Sequence, residues 1–166
     1  MEFQSLLPVG QRPELTEGYE GFFHLLGMKG EVERSELHYI IRDHDMEKFE
    51  EKKAVMTAAA DFINRKYGAG TLELTLKDSY YNMKKCIEPC MYVVERAKKA
   101  MAAAGMNPVE VPIRGGTDGA TLSYMGLPCP NLGTGGFNFH GPCECITAEK
   151  MDQCTEILLN LVDLYK

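Results

Sequence analysis

Two stretches in the C-terminal half set reactive side chains among glycines: Ile113-Arg114-Gly115-Gly116-Thr117-Asp118-Gly119 and Phe137-Asn138-Phe139-His140-Gly141. Ordinary packing has little use for so many glycines around Arg, Asp and His, whereas bare backbone that must approach a metal or an anion does. In the first stretch, backbone N–H groups between a strand and a helix would cradle an anion; the competing reading is a tight turn. The spacing and the lysine of a phosphate-binding loop or a dinucleotide fingerprint are missing. Arg114 beside the glycines carries a planar fork matched to a carboxylate, against the alternative of a surface salt bridge. His140, between Gly135-Gly136 and Gly141, is an imidazole that small neighbours leave free to reach a metal, or a ring that is structural or simply exposed. His24, His38 and His44 lie in or beside strands and read as surface or half-buried positions. The chain holds no complete set of catalytic partners for His140.

The chain has six cysteines and no secretory signal, so they are expected as reduced thiols. Cys143 and Cys145 form with His140 a His-x-x-Cys-x-Cys cluster, open to a zinc reading through imidazole and thiolate. With only three potential ligands, cysteines that serve a strand or loop are the competing reading.

At 166 residues, 45% hydrophobic and 25% charged, the composition is that of a soluble globular chain of one ordinary domain or two small ones. A net charge of -6 argues against a nucleic-acid partner, and the basic cluster of Lys84-Lys85 and then Arg96, Lys98 and Lys99 reads as solvated helix surface. No apolar run approaches the roughly 18 residues of a membrane span, and Met1 to Pro8 lack a signal peptide's basic start. The expected address is the cytoplasm.

The elements that must position these residues follow from periodicity. Gly18 to Met28, closing at Lys29-Gly30, and Leu37 to Asp43 read as two strands joined by a short connection. From Met46 the apolar positions Met46, Phe49, Met56, Ala60, Ile63 and Tyr67 predict a helix, with Asp45 as its N-cap and Gly68 as its stop. Leu72, Leu74 and Leu76 alternate with polar residues and predict a strand. Pro89 opens a second helix that carries Met91, Val94, Ala97 and Met101 and closes at Gly105. Val109, Val111 and Ile113 predict a short strand into the glycine motif, Thr117 to Met125 a helix or loop, and Cys129 to Leu132 a short buried strand. Thr147 caps a last helix with the stripe Met151, Cys154, Leu158, Leu161 and Tyr165. Both halves are α/β, and the texture changes near Asn82 to Pro89.

Several blocks carry a resemblance over essentially the whole chain, in unbroken order. Thr16-Glu17-Gly18-Tyr19-Glu20-Gly21-Phe22, His38-Tyr39-Ile40-Ile41-Arg42-Asp43 and Asp78-Ser79-Tyr80-Tyr81-Asn82-Met83 resemble the lid domain of the peptidase T family of tripeptide aminopeptidases. Pro112 to Ala120, Met125 to Asn131 and Phe137 to Gly141 resemble the end of that family's catalytic domain. The resemblance implies an incomplete lid over residues 1–82, an antiparallel sheet with a helix of ferredoxin-like type. The C-terminal α/β part of a zinc-peptidase catalytic domain would follow over residues 83–166. It also implies a co-catalytic di-zinc peptidase with a bridging water and a glutamate base, releasing the N-terminal residue of tripeptides. Carried over residue by residue, His140 is a zinc ligand, and Arg42 and Arg114 hold the peptide's terminal carboxylate. Gripping that carboxylate at a fixed distance from the metals would measure substrate length.

The family's remaining metal ligands, its general base and the lid's first strand belong to a segment that would precede Met1, and Met1 to Pro8 look like the tail of a lid helix. One histidine cannot hold a catalytic zinc, which takes about three protein ligands. The isolated chain is therefore expected to be inactive, and to associate with itself or with a complementary N-terminal half through its unprotected sheet edge. The alternative is a non-catalytic oligomerisation or peptide-binding module of the same descent. After Gly141 the sequence Pro142-Cys143-Glu144-Cys145 departs from the family pattern, which has a charged or histidine-containing stretch there.

Overall fold

The structure, a computed structural model, describes residues 2–166; Met1 lies outside the described residues. It is mixed α/β, as the sequence predicts, and falls into two compact units: Met1–Asn82 with Pro112–Gly116, and Met83–Val111 with Thr117–Lys166.

In the first unit a short helix α1, Glu2–Leu6, occupies the predicted helix tail, and two single 3₁₀ turns, Val9–Gln11 and Pro13–Leu15, lead to the sheet. Strands β1, Phe22–Gly30, and β2, Ser35–Arg42, form an antiparallel pair with Phe22 opposite Arg42 and a bulge between Leu25 and Gly27. Helix α2, Met46–Tyr67, begins where the Asp45 carboxylate accepts the Lys48 N–H at 3.0 Å. It ends at Gly68, whose φ of +115° no side chain adopts easily. The core is the meeting of Phe3 and Leu7, Phe23 of β1, and Met56, Ala59, Ala60 and Ile63 of α2. Each large apolar side chain buried there contributes about 1.5–3 kcal/mol.

At the head of α2 the Lys52 ammonium lies 2.9 Å from the Asp43 carboxylate, with the side chains only 10% and 2% exposed, and 5.9 Å from the Phe23 ring centre. This buried ion pair ties α2 to the end of β2.

Leu72 to Leu76 is not a strand. Leu72 and Leu74 do alternate inward onto the core, as the pattern requires. The ladder partner is replaced by one side chain: Asn64 donates to the Leu72 carbonyl at 2.9 Å and accepts the Leu72 N–H at 2.8 Å. A side-chain amide thus stands in for one residue of a neighbouring strand, and pairing stops there.

In the second unit, α3, Lys84–Ile87, and a 3₁₀ turn, Glu88–Cys90, precede α4, Tyr92–Ala103. Pro89 thus sits in the turn, and the helix proper starts at Tyr92. Helix α5, Asp118–Tyr124, follows the glycine motif, and α6, Ala148–Asp163, starts where Thr147 Oγ1 accepts the Lys150 N–H at 3.3 Å. Helices α4 and α6 pack through small and branched residues, with Ala97, Ala100 and Ile157 buried. The buried stripe of α6 is centred on Ile157, with Cys154 and Leu161 half-buried beside it; the predicted Met151, Leu158 and Tyr165 are exposed. Asn160, on the same side of α6, donates to the Ala100 carbonyl of α4 at 3.4 Å. Val109 to Ile113 and Cys129 to Leu132 form no strands, since neither finds a ladder partner among the described residues. Val109 and Val111 are consequently 73% and 70% exposed.

Candidate functional site

The first unit brings Arg42 and Arg114 together. Arg42 ends β2 opposite Phe22, and the buried Phe22 ring carries the Arg114 guanidinium 4.7 Å from its centre. Arg42 Nη1 donates to the Arg114 backbone carbonyl at 2.5 Å, and its guanidinium lies 5.9 Å from the Tyr80 ring centre. Arg114 turns away from this contact: Nη1 donates to the Thr16 carbonyl at 2.6 Å and Nη2 to the Thr16 hydroxyl at 2.5 Å. Its Nε is buried without a hydrogen-bond partner.

The paired glycines are explained here. A Cβ at Gly116 would sit 1.8 Å from Tyr80 Cζ, and one at Gly115 would sit 3.3 Å from Arg42 Nη1. Bare backbone at Gly115-Gly116 lets the Tyr80 ring and the Arg42 guanidinium close onto the chain. Thr16 and Tyr80 belong to this cluster and were not singled out by sequence reasoning as site residues. Their signal was available in the conspicuous blocks around them, but not in their residue types.

His44, read from sequence as a surface or half-buried position, is half-buried and stacks edge-on against Tyr19 at 5.1 Å. Burial pushes its pKa below the ordinary histidine value, and the Arg114 charge adds to this; Asp43 and a hydrogen bond with the Gly18 backbone oppose it.

In the second unit His140 sits in a tight loop closed by the Phe137–Cys145 bridge, with N–H to O distances of 2.8 and 3.1 Å. Both Asn138 and His140 have positive φ, +56° and +63°, in the left-handed region that L-residues avoid. The loop is held by Gly141 N–H on the Asn138 carbonyl, by the Asn138 amide on the Cys143 carbonyl, and by His140 N–H on the Glu144 carboxylate. These bonds hold the left-handed backbone in place, and His140 is exposed. Cys143 and Cys145 are exposed free thiols.

Among the described residues no group of three or more His, Cys, Asp and Glu side chains is arranged to hold a metal ion. The donor set of this chain therefore does not fit a di-zinc centre: His140 offers one imidazole, and the carboxylate beside it is turned to the His140 backbone. Thr117 caps no N–H with its hydroxyl, and α5, which follows the glycine motif, is a helix of 7 residues.

No family model matches the chain. Among curated proteins it is 56% identical over 165 residues to Peptidase T of Alkaliphilus oremlandii, covering 99% of this chain and 40% of that protein. Over nearly its whole length the chain is similar to peptidase T. Peptidase T of Clostridium perfringens is 54% identical over 164 residues and that of Caldanaerobacter subterraneus 52% over 165, again with 99% of this chain and 40% of the relative covered. The chain thus spans about two fifths of the length of the peptidase T relatives it matches, consistent with their C-terminal part.

Proposed function

We propose that this chain is the C-terminal portion of a zinc-dependent tripeptide aminopeptidase, supplying the grip on the substrate's terminal carboxylate and one metal ligand. The observation that carries this reading is the similarity to Peptidase T over 99% of the chain. Its physical support is the arginine cluster, which joins positions 72 residues apart at two of the blocks that carry the resemblance. Residues 1–82 act as a partial lid and residues 83–166 as a segment of the catalytic domain. Arg42 and Arg114 serve the carboxylate, and His140 serves a zinc whose other ligands this chain does not contribute. A catalytic zinc takes about three protein ligands, so the isolated chain neither holds the metal stably nor cleaves peptides. The six cysteines, all free, suit the reducing cytoplasm, and no helix among the described residues is long and apolar enough to cross a membrane.

The test is reconstitution. The purified chain alone releases no amino acid from trialanine with zinc present; mixed with a polypeptide that carries the rest of a peptidase T, it does. Mixtures that form a stable complex yet stay inactive with zinc overturn the reading.

One observation favours association as a second role. Leu158, Leu159 and Val162 on α6 are 54%, 63% and 59% exposed, and Val109 and Val111 are more exposed still. Exposed apolar side chains such as these are what a self-associating or peptide-binding module would present. Sedimentation as a strict monomer at micromolar concentration would dismiss self-association.

A further inference from the structure

Of the six cysteines, Cys143 and Cys145 are exposed and the other four are half-buried. Two of those four spend their thiols inside the fold: Cys90 Sγ donates to the Cys86 carbonyl at 3.3 Å, and Cys154 Sγ to the Thr134 carbonyl at 3.0 Å. Cys143 and Cys145 flank Glu144 in the loop that carries His140. Most of the bonds that hold this loop end on these three residues. The Asn138 amide donates to the Cys143 carbonyl at 3.1 Å, and Cys145 pairs with Phe137. Glu144 takes the His140 N–H on its carboxylate at 3.1 Å and gives its own N–H to the Gly141 carbonyl at 3.1 Å.

We propose that Cys143 and Cys145 are a redox pair, which a small-molecule disulfide such as glutathione disulfide oxidises to an intramolecular disulfide, releasing His140 from Glu144. Chain connectivity holds two Cα atoms two residues apart within about 7 Å, and a disulfide spans about 4.4–6.8 Å, so a bend at Glu144 suffices to bring the pair into range. One protein thiolate attacks glutathione disulfide, forming a mixed disulfide and expelling a glutathione thiolate. The second protein thiolate then displaces the other glutathione. Two protein thiols are oxidised, one glutathione disulfide is reduced to two glutathione thiols, and the protein's two protons pass to them. Closing the small ring draws the Cα atoms toward the usual separation of about 5.5–6 Å and redirects the chain at Glu144, whose carboxylate and N–H both hold the loop. An exposed disulfide of this kind is readily reduced again, so the step is reversible. The inference goes beyond the aminopeptidase reading, because its chemistry uses neither zinc nor peptide.

The test treats the full reduced chain with excess glutathione disulfide, then denatures it, alkylates it with iodoacetamide and digests it with chymotrypsin. Cleavage after Phe139 separates Cys143 and Cys145 from Cys129. The peptide with Cys143 and Cys145 is expected to lose the mass of two hydrogens and to carry neither glutathione nor an alkyl group. Cys86, Cys90, Cys129 and Cys154 are expected to be alkylated. Two alkylated thiols at Cys143 and Cys145, a persistent glutathione adduct there, or a disulfide between two chains overturns the pair. In Cys143→Ser, oxidation is expected to stop at a glutathione adduct on Cys145; Cys145→Ser, with the adduct on Cys143, serves if the first variant fails to fold. The link to His140 is read by NMR. The His140 amide resonance is expected to move on oxidation and to return with dithiothreitol, and to stay in place when both cysteines are serine. A disulfide that leaves the His140 amide unmoved overturns the release of His140. None of these outcomes depends on reconstituted peptidase activity, so this proposal and the aminopeptidase reading fail separately.

Discussion

Phe22 and Arg42 face each other across the β1–β2 ladder, and that single pairing brings the two arginines into one cluster. Arg42 stands at the end of β2, while the Phe22 ring on the adjacent strand carries Arg114. A slip of one residue in the hairpin would turn Arg42 to the opposite face and separate the pair. The bulge at Leu25/Gly27 lies between this end and the Lys29–Glu36 end of the hairpin.

The Lys52–Asp43 ion pair locks α2 to the end of that strand in a nearly dry setting. Lys52→Met is expected to destabilise the chain by about 3 kcal/mol, because Asp43 is left as an unpaired buried charge. Adding Asp43→Asn should recover most of the loss. Urea unfolding of the two variants checks both numbers.

Asn64 replaces a strand partner for Leu72 with one amide. Asn64→Ala leaves the Leu72 N–H and C=O unpaired and is expected to cost about 1–3 kcal/mol. Hydrogen exchange at the Leu72 amide should accelerate while the middle of α2 stays protected.

His140 holds a left-handed backbone that costs an L-residue about 1–2 kcal/mol. His140→Gly is therefore expected to be neutral or to stabilise by up to about 1 kcal/mol, even as it removes the imidazole. Thermal unfolding measures this. A loss of stability would mean that the imidazole supports the loop rather than being held by it.

The lowered pKa of His44 makes stability depend on pH. The folded state disfavours the protonated ring, so the unfolded chain binds more protons as pH falls through the ordinary histidine value near 6.5. Stability should be full above that value and decline below it as the ring is forced to charge. His44→Asn should flatten the slope of unfolding free energy between about pH 7 and pH 5.5.

Local signals were legible where the chemistry was local. The Asp45 cap, the three-and-four spacing from Met46 and the Gly68 stop define α2 without reference to any other element, and the structure places its ends there. Thr147 opens α6 in the same way. Strand readings at Leu72, Val109 and Cys129 depended on partners elsewhere. Alternation records which face is buried, as at Leu72 and Leu74, but not whether a ladder neighbour exists. The glycines around Arg114 did mark a close approach of backbone, yet what approaches is Tyr80 and Arg42, from more than thirty residues away. Thr16 and Tyr80 as partners of the arginines were invisible because side-chain direction and long-range contact set their role.

Zinc-dependent release of the N-terminal residue from trialanine, by a mixture of this chain and a polypeptide carrying the rest of a peptidase T, tests the central claim most directly when His140 is varied. The wild-type mixture is expected to turn over, and the His140→Ala mixture to fall by about a hundredfold or more, since a ligand would be lost from the metal. Equal rates from the two mixtures, or enzyme-like turnover by the chain alone, would contradict it.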